Sequence, residues 1–155
     1  MAARRAESTW CKAGTVPLNP YQQYRATRVE TAGSVDLVVM LYQGAVKFIR
    51  LALRALEQRD VTTAHTELVR AQDIVAELRG SLNHEAGGDI ATQLAALYDY
   101  CYRQLVAANV KKDPAPAREV LGILHDLGTA WQQIAAQQRQ AQAASMNPAS
   151  IARAV

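Results

Sequence analysis

The chain has 155 residues, half of them hydrophobic and a fifth charged, which fits one domain with a buried core and excludes a chain disordered throughout. Aromatic residues make up 6%, with 8 Gly and 5 Pro, a composition that disfavours sandwiches, barrels and collagen-like chains and favours helices. The net charge of +3 resides in the two ends, because residues 34–138 hold ten basic and twelve acidic side chains; such a body lacks the basic face that a phosphate backbone requires.

In chain order, residues 1–17 are small, polar or basic without periodicity, and MAARRAESTW has no apolar stretch after its arginines. That argues against a secretory signal and for a flexible extension. Cys11 and Cys101 are far apart in sequence and no run of about eighteen apolar residues occurs, so a reducing cytoplasm and no membrane span are expected. Residues 18–31, LNPYQQYRATRVET, carry two tyrosines and aliphatic anchors suited to an arm packed on the domain.

Helical periodicity predicts a first helix over about 34–58, with Gly33 or Ser34 as N-cap and Asp36 at the positive end of the helix dipole. Asp60 reads as the N-cap of a second helix, whose Ala64, Leu68, Ala71, Val75, Leu78 and Leu82 follow three-four spacing. Residues 83–88 read as a turn. A third helix is predicted to start near Asp89 and bury Ile90, Leu94, Leu97, Cys101 and Leu105. Asp113 as cap with Pro114 at the first position opens a fourth, carrying Val120, Leu121, Leu124, Leu127, Trp131 and Ile134. After Gln137 the chain becomes Ala/Gln-rich, and 139–155 reads as a flexible low-complexity tail. Short turns between long helices imply an all-α, antiparallel up-and-down four-helix bundle over 18–138, with an N-terminal arm.

Helical bundles host metals and phosphotransfer, and the residues favour neither. The Glu-x-x-His motif of di-iron sites is absent, and His65, His84 and His125 fall on separate elements without ligand-spaced partners. TAHT around His65 resembles phosphotransfer bundles, but Leu68 and Val69 stand where those carry Lys and Gly, and an apolar pair cannot hold a phosphoryl group. Cys101 lies on an apolar stripe, and no serine or threonine has a Gly-rich elbow or a base near it. No catalytic constellation, metal site or cofactor is therefore expected.

The remaining signals belong to surfaces. In LVVMLYQGAVKFI, six consecutive apolar residues wrap the whole circumference of the first helix. Leu37, Leu41, Phe48 and Ala55 suit the core, while Val39, Val46 and Leu53 point elsewhere, accompanied by Gln43 and Arg50. Either the bundle encloses that side too, or it forms an apolar groove for another chain. Gly44, costly in mid-helix by about 1 kcal/mol, marks a close backbone approach. In LYDYCYRQL, Tyr98 and Cys101 follow the core stripe, whereas Tyr100 and Tyr102 diverge from it and suit an interface.

Taken together, NPYQQY, TAGSVDLVVMLYQGAVKFI, GGDIATQLAALYDYCYRQLVAANVKKD and AWQQI resemble the FliS family of flagellin export chaperones, in unbroken order from Asn19 to Gln137. The resemblance implies a non-enzymatic cytoplasmic bundle that binds the C-terminal segment of flagellin, prevents premature polymerisation and assists delivery to the flagellar type III export apparatus. It places Leu18 and Tyr21, with Tyr24 beside them, on an arm that occupies part of the client surface until displaced. The residues set apart above by their angle on the helices, Val39, Gln43, Val46, Arg50, Leu53, Tyr100 and Tyr102, are then the candidate client contacts. Two departures stand out: Gly33-Ser34 replaces the Ser-Pro with which many relatives open this helix, and Gln43 replaces an acidic or amide residue common before the Gly. A His-containing phosphotransfer bundle and a general helical adaptor are the alternatives from other classes.

Overall fold

The computed structural model describes residues 34–146, and Leu18, Tyr21, Tyr24 and Cys11 lie outside them. Four helices follow one another, α1 Ser34–Glu57, α2 Val61–Gly80, α3 His84–Lys111 and α4 Pro114–Ser145, with no strand among the described residues. Side-chain contacts fix their directions. Along α1 and α4, Asp36 meets Arg139 near one end, Tyr42 meets Gly128 further along, and Glu57 meets Arg118 at the other end. Along α2 and α3, Arg79 meets Asp99 and His65 meets Asn109. Both pairs are antiparallel. Helix α1 packs between α2 and α4, and α3 closes the ring against the same two neighbours.

The helix ends follow from local chemistry. Asp60 accepts from the Thr63 amide at 3.1 Å, and Asp113 accepts from Ala115 at 3.0 Å with Pro114 placed where no backbone donor is needed. Arg59 and Lys112 adopt left-handed φ values of 57° and 52°, which turn the chain directly after α1 and α3. The turn predicted over 83–88 is partly helix. Asn83 accepts from the amides of Glu85 and Ala86, which starts α3 at His84, and Gly88 then breaks the helix at φ 49° and ψ −126°. That backbone region is open only to glycine.

The break explains a shift of register. Ile90, expected in the core, is 69% exposed, and the smaller Ala91 and Ala95 face inward instead, in line with Tyr98, Cys101 and Leu105. Ile134 is likewise 40% exposed, while Ala135 one position on is buried. Helix α4 also runs past its predicted end at Gln137 to Ser145: Gln and Ala are good helix formers, and Arg139 is held by Asp36 at 3.2 Å.

The core joins Tyr42, Ile49, Leu68, Val75, Leu78, Leu105, Val120 and Leu124, all almost wholly enclosed. Val46 and Leu53 belong to it, so the enclosing reading of α1 holds for these two. Leu37 and Phe48, expected inside, are half-buried, and the Arg70 guanidinium lies 5.6 Å from the centre of the Phe48 ring. Two glycines set how closely α1 is gripped. A Cβ on Gly44 would stand 3.1 Å from the tip of Ile74 on α2, and one on Gly128 would stand 3.1 Å from Tyr42 Cβ. No described helix is long and apolar enough to cross a membrane.

Candidate functional site

The antiparallel seam of α1 and α4 carries an open groove. Toward the start of α1, Val39, Met40 and Gln43 face Gln132, Ala135 and Arg139 across a cavity of about 420 Å³. A second cavity of about 290 Å³ shares Gln43 and Gln132 and continues past Val46, Lys47 and Arg50 opposite Leu124, His125 and Gly128. Gly128 lets α4 settle against Tyr42, so Tyr42, Val46 and Leu124 at the base are almost wholly buried and polar side chains supply most of the exposed lining. Its charges differ along its length: Asp36 and Arg139 pair with each other at one end, whereas no described carboxylate pairs with Lys47 or Arg50 at the other.

Of the residues singled out from sequence, Val39, Gln43, Val46 and Arg50 line this groove together. Leu53 is in the core. Tyr100 and Tyr102 lie elsewhere and apart from each other: the Tyr100 hydroxyl donates to Glu119 on α4 at 2.7 Å, and Tyr102 borders a separate pocket of about 240 Å³ between α2 and α3. The α4 half of the groove was missed entirely by sequence reasoning. Gly128 in LHDLGTAW was the available signal, since a mid-helix glycine marks close approach just as Gly44 does.

Beneath the groove, Tyr42 and Tyr98 share a hydroxyl–hydroxyl hydrogen bond across the core, with ring centres 6.4 Å apart. Burial pushes both phenols above the ordinary tyrosine range, and for Tyr42 the bond to Tyr98 adds to the shift. Burial also pushes the Cys101 thiol up to about 11, helped by the negative charge of Glu119. A thiol so shifted stays protonated at neutral pH and is a poor nucleophile. His65 is bonded to the Asn109 side chain at 2.9 Å, with Leu68 fully buried three positions on. Among the described residues no three His, Cys, Asp or Glu side chains gather as metal ligands would.

Residues 17–138 match the family described as flagellar protein FliS. The chain belongs to the FliS family. The flagellar secretion chaperone FliS of Bacillus subtilis is 40% identical over 122 residues, covering 79% of this chain and 90% of the relative. Its namesake in Salmonella typhimurium is 39% identical over 107 residues, covering 68% and 79%. A solved structure described as a flagellar chaperone from bacteria superposes with a TM-score of 0.63 at 19% identity, over 76% of this chain and 95% of that one, a likeness of fold. The two stretches that carry the FliS resemblance, LYQGAVKFI and LYDYCYRQL, supply the Tyr42–Tyr98 pair and meet inside the bundle.

Proposed function

We propose that this FliS-family chain is a cytoplasmic, non-enzymatic chaperone of flagellar export that holds the C-terminal segment of flagellin. In this reading it keeps flagellin from polymerising early and brings it to the flagellar type III export apparatus. One observation carries the proposal beyond family membership: the bundle completes its own core, yet the α1–α4 seam stays open over Val39, Gln43, Val46 and Arg50. A flagellin tail forms amphipathic helices that are buried only in the filament, and a seam of this shape gives one a substitute apolar partner before assembly. The arm residues Leu18 and Tyr21 compete for the same surface in this reading, as a tethered segment does at high effective concentration.

Calorimetric titration of the full chain with the C-terminal segment of the cognate flagellin tests the function. Saturable binding with a negative heat-capacity change is expected. Absence of binding, or phosphoryl transfer onto His65, overturns it. Changing Leu18 and Tyr21 together to Ala should raise the affinity if the arm blocks the groove; a lower affinity would make the arm part of the binding surface instead.

A further inference from the structure

The α1–α4 groove has an uneven distribution of charge along its length. Lys47 and Arg50 are exposed, line the groove, and have no paired carboxylate among the described residues. Arg54 extends them along α1, and spacings of three and four residues put all three cations on one ridge. Of the other described arginines, Arg70 pairs with Glu67, Arg79 with Asp99, Arg118 with Glu57 and Arg139 with Asp36, whereas Arg59 and Arg103, which lie away from the groove, do not. Of the nearby acids, Asp126 adjoins His125 at 3.5 Å, and Glu57 is taken by Arg118 at 3.8 Å beyond the groove. At the other end the Asp36–Arg139 pair and the amides of Gln43 and Gln132 leave no net charge.

We infer that the occupant of this groove is an acidic amphipathic helix, and that its carboxylates lie over Lys47 and Arg50. The inference rests on the chaperone reading and names the chemistry of the client segment that the groove selects. Unpaired cations toward one end of the groove distinguish the two ways a helix can lie along it. Charge complementarity of this kind sets orientation and encounter rate more than total affinity. Binding then sets carboxylates beside the cations of the α1 ridge.

The test titrates the full chain with the C-terminal flagellin segment at about 50 mM and about 500 mM salt, a range over which exposed charges pass from weak to strong screening. Three forms are compared: the wild type, Lys47→Glu with Arg50→Glu, and a control of equal net charge, Arg103→Glu with Lys111→Glu on α3. The groove variant should lose about tenfold in affinity at low salt and show a flatter salt dependence, while the control keeps the wild-type values. Lys47→Gln with Arg50→Gln should fall between, and exchanging the client's acidic residues for lysine should restore binding to the groove variant. Melting curves establish that each form is folded. A groove variant that binds like the control, with the wild-type salt dependence, overturns the inference and leaves the chaperone reading standing. A wild type that does not bind the segment overturns both.

Discussion

The α1–α4 and α2–α3 seams are built from the same kind of antiparallel helix pair and finish differently. Between α2 and α3, cross-links close the surface: Arg79 grips Asp99 with two nitrogens, and His65 meets Asn109. Tyr102, Val106 and Val110 on that side of α3 remain exposed, beside a small pocket rimmed by the Arg79–Asp99 pair. Between α1 and α4 the backbones draw together at Gly128, the ion pairs among the described residues stand near the ends, and the middle is left as a groove with cations on one wall. Exposed apolar area alone therefore does not mark the candidate site. The α2–α3 pocket is the more apolar of the two, so what distinguishes the α1–α4 seam is its length and the unpaired cations beside it.

The largest expected effect comes from an acid placed in each seam. Val46→Asp puts a carboxylate into a side chain position only 9% exposed and should cost about 3 kcal/mol or unfold the bundle. Val106→Asp, at a position 37% exposed, should cost less than about 1 kcal/mol. Equal losses in denaturant titrations would show that the α2–α3 side is as enclosed as the α1–α4 floor, and the contrast would fail.

The two glycines that grip α1 offer a sharper comparison. Alanine at Gly128 meets the Tyr42 Cβ, which moves only with its backbone, so α1 and α4 must separate; a loss of about 1–2 kcal/mol and weaker client binding are expected. Alanine at Gly44 meets only the end of the Ile74 side chain, which can rotate, and the gain in helix propensity of about 1 kcal/mol offsets the crowding. Thermal melts that rank these two in the opposite order would locate the tighter approach on the α2 side.

The smallest effect at neutral pH concerns the hydroxyl bridge between the seams, since Tyr42 borders the α1–α4 groove and Tyr98 borders the α2–α3 pocket. Raised folded pKa values mean that the native state holds these protons longer than the unfolded chain. The associated stability is whole below the unfolded pKa values and is lost as pH rises through the folded ones. Melting temperature should thus be flat to about pH 9 and then fall, first through Cys101, up to about 11, and further through the two phenols. Cys101→Ala should delay the onset to the tyrosine range above pH 10. An unchanged onset would remove Cys101 as its cause.

Much of the bundle was legible because its signals are local. Asp60, Asp113 and Pro114 act within one helical turn, so the starts of α2 and α4 could be read directly. The same locality misled at Asn83, whose capping bonds turn an expected loop into the first turn of α3, and at Gly88, whose backbone break moves the core face from Ile90 to Ala91. In the site, Val39, Gln43, Val46 and Arg50 were found because wrapping apolarity on α1 is itself a sequence pattern. His125, Gly128 and Gln132 carry no such pattern. They are groove residues only because α4 happens to lie against that side of α1.

Sequence alone determined the all-helical class, the number of helices, the N-caps of α2 and α4, and the family, since periodicity, short turns and ordered motifs are properties of neighbouring residues. Tertiary structure alone decided which side of the doubly apolar α1 would be covered, that Val46 and Leu53 join the core while Val39 borders the groove, and that Tyr42 and Tyr98 meet 56 residues apart. Those outcomes depend on how close two helix axes can come. That distance is set by pairs such as Gly128 with Tyr42, whose partners lie far apart along the chain.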